Sequence, residues 1–366
     1  MIRMEDNRVD KILLGNYSEE LASIVGRSKG LDDINEYRKQ FEQDFAKYIG
    51  TRHALAVNSG TDAIQLALLS LNIGKGDSVI VPDLTYVSTA LTVKYAGAEP
   101  IIIDVKNTDL TLNEDLVAKH IRKDTKAIIA VHMFGTPCAM NSLNRIARKF
   151  NLYIIEDACQ AIGSTYAGRR VGSLSDIAAF SFSYYKPLSS LAGNGGMITF
   201  ENNAYQKKIN NYLNLWKIDP CLLQLDRKFN RISLSDIATT KVKFKILRNI
   251  ISSREKIKIL YEKNLSKIKS IKVFKDPAKT SSVKENYPVF FQERDRLRSF
   301  LLKNCIKTDL PYTPLHLLEI FKDHVQHKDD FPVSEAYFNH GIHLPLYSFM
   351  PEEDCYAVIN AIQHFK

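Results

Sequence analysis

Short, continuously apolar runs punctuate the first half of the chain. They are ALAV (54–57), SVIVP (78–82), PIIIDV (100–105), AIIAVH (127–132), YIIED (153–157), AAFSFS (178–183) and GMITF (196–200). Most are apolar at every position rather than at alternate ones, which is how strands covered on both faces of a mainly parallel sheet read. Between them lie windows with helical spacing. SGTDAIQLALLSLNI puts Ala63, Ile64, Ala67, Leu68 and Leu71 on one face, and AMNSLNRIARKF and TALTVKYAG behave alike. Strand and helix alternating in this way predict an α/β layer fold with helices on both sides of the sheet. Ligands of such sheets bind beyond the carboxyl ends of the strands.

The pattern changes after residue 205. Helical, basic sequence runs to about 270, followed by a short strand at YPVFF (287–291), a helix at RDRLRSFLLKN and a last helix near 351–364. This predicts a large α/β domain over 31–245 and a smaller α+β domain over 246–366, with residues 1–30 packing on the smaller one. Between Lys241 and Lys275 there are about a dozen basic residues and two acids, Glu255 and Glu262. The interleaved apolar positions favour one solvated face of a long helix over a nucleic-acid surface, since no recognition motif accompanies the charge.

The hydrophobic share of 45% over 366 residues is ample for a large core. The net charge of +9 leaves open an acidic small substrate. Five scattered cysteines form no C-x-x-C pair and sit near no histidine cluster, so no metal site and no disulfide framework is expected. The N-terminus lacks an apolar signal segment, and no run is long enough to span a membrane, so a cytoplasmic protein is expected.

Four features fall at strand ends. After Val57, Asn58-Ser59-Gly60-Thr61 opens a helix whose free N–H groups suit a phosphate, although an ordinary N-cap explains the same residues. After Pro82, Tyr86 can stack on a planar ring or fill a core. YIIED ends in Glu156-Asp157, acids that need a partner if buried. Lys186 follows AAFSFS and precedes the flexible GNGG. It is either a turn lysine or an amine whose pocket makes it nucleophilic. A phosphate cradle, a stacking aromatic, an acid for a ring nitrogen and a reactive lysine, in that order, are the parts pyridoxal phosphate requires.

FEQDFAKYIGTRHALAVNSGTDAIQLALLSLNIGKGDSVIVPDLTYVSTA, AGAEPIIIDV, YIIEDACQAIGSTYAGRRVGSLSDIAAFSFSYYK, GNGGMI and PVSEAYFNHGIHLPLYSFM resemble the DegT/DnrJ-type sugar aminotransferases over roughly residues 40–366. The resemblance implies a fold type I enzyme with a mostly parallel seven-stranded sheet and pyridoxal 5'-phosphate as cofactor. It implies that Lys186 bonds the cofactor covalently, that Asp157 holds its ring nitrogen and that Gln160 reaches its phenolic oxygen. Tyr86 would stack on the ring. Gly60, Thr61, Asp62 and Ser181 would hold the phosphate, joined by Asn230 from the second subunit of a homodimer. In PYTPLH, Tyr312 and His316 would face substrate. The implied reaction moves an amino group, with L-glutamate as expected donor, to a keto sugar, most simply a nucleotide-linked one. A keto sugar without nucleotide, a cyclitol, and a non-catalytic or regulatory role are the alternatives. The sequence departs from the family pattern at Asn194, where an acid is common, at Lys228, and at YLNLWKIDP (212–220). Relatives that dehydrate sugars carry histidine at the lysine position, so Lys186 favours transamination.

Overall fold

The computed structural model describes residues 2, 4, 8–27, 31–214, 231–325 and 330–365. Helices α1 (Arg8–Arg27) and α2 (Leu31–Ile49) precede the first strand, β1 (His53–Val57), which leads into α3 (Gly60–Ser70). Then come β2 (Ser78–Pro82), α4 (Ser88–Tyr95), β3 (Glu99–Ile103), α5 (Glu114–His120), β4 (Thr125–Val131), α6 (Met140–Phe150) and β5 (Tyr153–Asp157). A hairpin of β6 (Thr165–Tyr166) and β7 (Arg169–Arg170) separates β5 from β8 (Ile177–Ser181) and β9 (Gly196–Phe200). Seven strands form one sheet in the order β1-β9-β8-β5-β4-β2-β3. Only β9 runs against its two neighbours. All seven apolar runs of the sequence lie in this sheet.

Each strand sends alternate residues to opposite sides, as the strand period of two requires. Val79 and Val81 meet α3 and α4 on one side. Ile80 meets α2 and α6 on the other. Phe41 and Phe45 of α2 interlock there with Phe180 and Phe182, with ring centroids 5.2–6.2 Å apart. Each of these phenyl groups contributes about 1.5–3 kcal/mol by leaving water.

Beyond β9 the chain forms α7 (Asn203–Asn214), α8 (Leu234–Lys245), α9 (Leu247–Leu265), β10 (Ile271–Val273), β11 (Thr280–Ser281), β12 (Tyr287–Phe291), α10 (Arg294–Lys303), α11 (Pro332–His340), β13 (Gly341–Leu344) and α12 (Glu352–His364). A second sheet, β10-β12-β13, shares an apolar core with α9, α10 and α12. The short β11 pairs instead with β6 of the large domain. The boundary expected at 245/246 falls at the junction of α8 and α9.

Two expectations are corrected here. The basic stretch is not one helix with a solvated face. It breaks at Ile246 into two helices, and Lys243, Arg254 and Lys258 are buried and bonded. Lys243 binds Asp10 at 2.8 Å and Ser189 Oγ at 2.6 Å, while Lys258 meets Asp276. The N-terminal residues do not pack as one block on the small domain. Leu13 and Tyr17 of α1 pack on Val242 of α8, and Tyr17 donates to Asp10 at 2.7 Å. Ile2 does reach the small domain, by pairing with Ile306.

Candidate active site

The carboxyl ends of β1 and β8 meet at Gly196, the first residue of β9, which pairs with Val57 on one side and Ser181 on the other, and β5 lies parallel beside β8 with Asp157 level with Ala179. Gly60 begins α3 between them. A Cβ on Gly60 would lie 2.7 Å from Cys159 Sγ and 2.9 Å from Ser181 Cβ, so the backbone approach requires glycine there. Ser59 caps α3 by accepting from the N–H of Asp62 at 3.0 Å. The helix's first N–H groups have no acceptor within the helix, and they open beside Ser181.

Asp157 ends β5 and is buried. Its Oδ2 accepts from Thr89 Oγ1 at 2.9 Å, and its Oδ1 accepts from the N–H of Cys159 at 3.2 Å. Thr89 lies 3.0 Å from Thr85 in turn. Neighbouring Glu156 faces the other way. It accepts from Gly172 N, Leu174 N and Ser175 Oγ, and lies 2.9 Å from His132 Nε2. His132 Nδ1 accepts from Cys138 N–H at 3.1 Å. The two acids of YIIED therefore divide the work: Glu156 organises the chain after β5, and Asp157 faces the strand ends. Gln160 accepts from Phe134 N–H at 2.8 Å and points its amide at Tyr312 OH, 3.5 Å away.

Lys186 stands in the loop joining β8 to β9. Phe182 N–H to Gly195 O and Ser190 N–H to Phe182 O close that loop, and Leu191 N–H to Thr239 Oγ1 moors it on α8. Leu188 is buried beneath. Lys186 Nζ is 2.8 Å from Glu285 Oε1, and its side chain is 11% exposed. Burial works against the charged amine, but Glu285 and then Tyr312 overcome it and hold the pKa above the usual lysine value. Burial and the same Glu285 push the Tyr312 phenol up to about 12. Tyr86, 54% exposed, presents its ring 5.7 Å from that of Tyr312.

His316 is placed differently from the residues above. Its Nδ1 lies 2.7 Å from Asp83 Oδ2, its Nε2 lies 3.2 Å from Glu335, and its ring stacks on Phe331 at 4.4 Å. Burial disfavours the charged ring, but Asp83 and Glu335 keep its pKa above the usual histidine value. Both nitrogens serve the protein, and His316 pins its turn to the end of β2. That geometry speaks for a structural role rather than contact with substrate. Asn230 lies outside the described residues. Glu285 and Arg254 were not among the residues the sequence pointed to. Arg254 donates to the carbonyls of Lys284 and Glu285, both at 3.0 Å, and of Leu346 at 3.3 Å. A cavity of about 960 Å³ opens beside Lys186, with Tyr184, Tyr185, Arg298, Lys307 and Tyr347 on its walls.

The DegT/DnrJ/EryC1/StrS aminotransferase family matches residues 18–363. The chain belongs to that family. It is 30% identical to GDP-perosamine synthase of Escherichia coli O157:H7 over 92% of each chain. It is 32% identical to the dTDP-3-amino-3,4,6-trideoxy-alpha-D-glucose transaminase of Streptomyces venezuelae over 89% of this chain and 86% of the other. The crystal structure of S. venezuelae DesV in complex with a ketimine intermediate superposes with a TM-score of 0.91 at 29% identity, covering 99% of this chain and 97% of that one.

Membership makes this DegT/DnrJ/EryC1/StrS protein an aminotransferase with pyridoxal phosphate as its cofactor, and the residues present fit that group. The α3 N-terminus beside Ser181, with glycine where a Cβ would block the approach, would suit a phosphate. A buried carboxylate aimed from β5 suits a protonated ring nitrogen, and an amine closes the opposite side. Among the described residues no helix is long and apolar enough to cross a membrane.

Proposed function

We propose that the protein transfers an amino group from an amino acid, L-glutamate, to a keto sugar carried on a nucleotide. The observation that supports this best is the grouping of Lys186, Asp157 and the Gly60 turn around Cys159, with Gln160 and Lys186 both beside Tyr312. The relatives named for GDP- and dTDP-sugars point to the acceptor class. In this reading Gly60, Thr61, Asp62 and Ser181 hold the phosphate, Tyr86 covers the ring, Gln160 meets its phenolic oxygen and Tyr312 lines the substrate side. The protein works as a homodimer in the cytoplasm, with Asn230 lent across the interface. The four cysteines among the described residues that are free suit that compartment.

Pyridoxal phosphate supplies, when bound, an electron sink for the charge left as a proton departs from a substrate carbon. Asp157 keeps the ring nitrogen protonated, and Thr89 and Cys159 N–H fix its carboxylate in the required direction. Lys186 carries the proton off the donor α-carbon and returns it in the second half-reaction. The basic residues Arg298 and Lys307 at the cavity draw in an anionic diphosphate.

Absorption spectra test this reading. Wild-type protein gains a visible band with pyridoxal phosphate and loses it on adding L-glutamate, and a nucleotide-linked keto sugar restores it. Lys186→Ala shows no such band. A band that no amino acid bleaches would turn the reading toward a non-catalytic role.

A further inference from the structure

We propose that Glu285 is the positioning residue of Lys186: its carboxylate holds the amine as an ammonium in the cofactor-free protein and takes up the proton when the amine attacks a carbonyl. The inference rests on Lys186 being the amine that bonds the cofactor.

The geometry carries it. Lys186 Nζ and Glu285 Oε1 are 2.8 Å apart, and both side chains are nearly buried. The other oxygen of Glu285, Oε2, is buried and has no hydrogen-bond partner among the described residues. An isolated carboxylate is costly in such surroundings, and Lys186 is the cation that pays for it. Arg254 does not compete, because its guanidinium is turned to the backbone carbonyls of Lys284, Glu285 and Leu346 and to Ser348 Oγ. It fixes where the segment runs and leaves the carboxylate to the lysine.

An ammonium is no nucleophile. Moving one proton from Nζ to Oε1 leaves a neutral amine beside a neutral carboxylic acid. The N–H bond breaks, the O–H bond forms, and no further reactant is needed. Burial favours the neutral pair, so the transfer costs least once substrate or cofactor has excluded water. When Lys186 turns to the carbonyl, a protonated Glu285 no longer needs a counter-ion. Among the described residues the ionisable groups beside the pair are Tyr312, Cys159 and Arg254, with Asp157 and Tyr86 next to the first two, five in all. Arg254 is the cation among these five, and it is bonded elsewhere, so Glu285 stands as the charge that governs Lys186.

The test is competitive acetylation of cofactor-free protein with acetic anhydride across a pH series, read at Lys186 by peptide mass spectrometry. In wild type, Lys186 should label only at higher pH than the exposed lysines. In Glu285→Gln its profile should move down by at least about one pH unit, because burial then acts without its counter-charge. Glu285→Asp should restore most of the wild-type profile. The pH dependence of covalent pyridoxal phosphate attachment, trapped with borohydride and weighed as protein mass, should move the same way. Unchanged profiles in Glu285→Gln overturn the proposal. So does a wild-type Lys186 that labels at lower pH than exposed lysines, which needs no variant to fold. Absence of any cofactor adduct on wild type would instead strike the aminotransferase reading, so the two failures are distinguishable.

Discussion

At the scale of single residues, the site is a set of directed carboxylates. Asp157 is fixed by one hydroxyl and one backbone N–H, and Asn can keep the second of these contacts. Asp157→Asn should therefore fold with near-normal stability but lower kcat/KM by about a hundredfold or more, because in the proposed mechanism its charge is what keeps the ring nitrogen protonated. Steady-state kinetics beside a thermal melt separates the two effects. The sequence put Lys186 and Asp157 forward because one ends an apolar strand and the other stands a few residues past one, where a charge is conspicuous. Glu285 was not legible. It lies 99 positions from Lys186, and nothing in VKENYPVFF marks which residue will turn toward a lysine so far away. His316 shows the reverse: a histidine in a suggestive segment whose two nitrogens turn out to be claimed by Asp83 and Glu335.

At the scale of elements, glycine decides how closely segments can pass. Gly135 has φ +85°, and a Cβ there would come within 2.0 Å of Val283 O. The chain just before Glu285 runs directly over it. Gly135→Ala should cost about 3 kcal/mol, measured by urea unfolding, and should also disturb the Lys186–Glu285 pair. Removing the guanidinium by Arg254→Met should cost about 3 kcal/mol or more, since three buried carbonyls lose their donor together. The strands were legible because two-sided burial writes an uninterrupted apolar run. The break between α8 and α9 was not, because Ile246 is only slightly poorer as a helix former than Lys245 and Leu247 and carries no proline or glycine signal. Nor did the basic composition of that stretch disclose that Lys243, Arg254 and Lys258 turn inward, since a long side chain can bury its stem and still find an acid.

At the scale of the whole molecule, one group sets an acid limit. His343 of β13 is fully enclosed, with Phe134 at 4.7 Å, and its Nδ1 meets only Asn286. Its Nε2 has no partner among the described residues. Burial pushes its pKa down to about 3, below the ordinary histidine value near 6.5. Between those two values the unfolded chain binds the proton and the folded one does not. Stability attached to this residue is thus complete above about pH 6.5 and is lost progressively as pH falls toward 3. His343→Gln should flatten that slope in urea melts taken across the range. If the slope is unchanged, carboxylates rather than His343 dominate acid unfolding.

Helix α9 begins with Leu247 in the core of the large sheet and continues with Ile257, Tyr261 and Leu265 in the core of the small one. With a one-residue joint before it, this helix acts as a common axle: neither domain can turn without turning it. A hinge of the kind that closes many two-domain enzymes would have to bend this helix or its joint. Heating should then melt both cores in a single cooperative calorimetric transition.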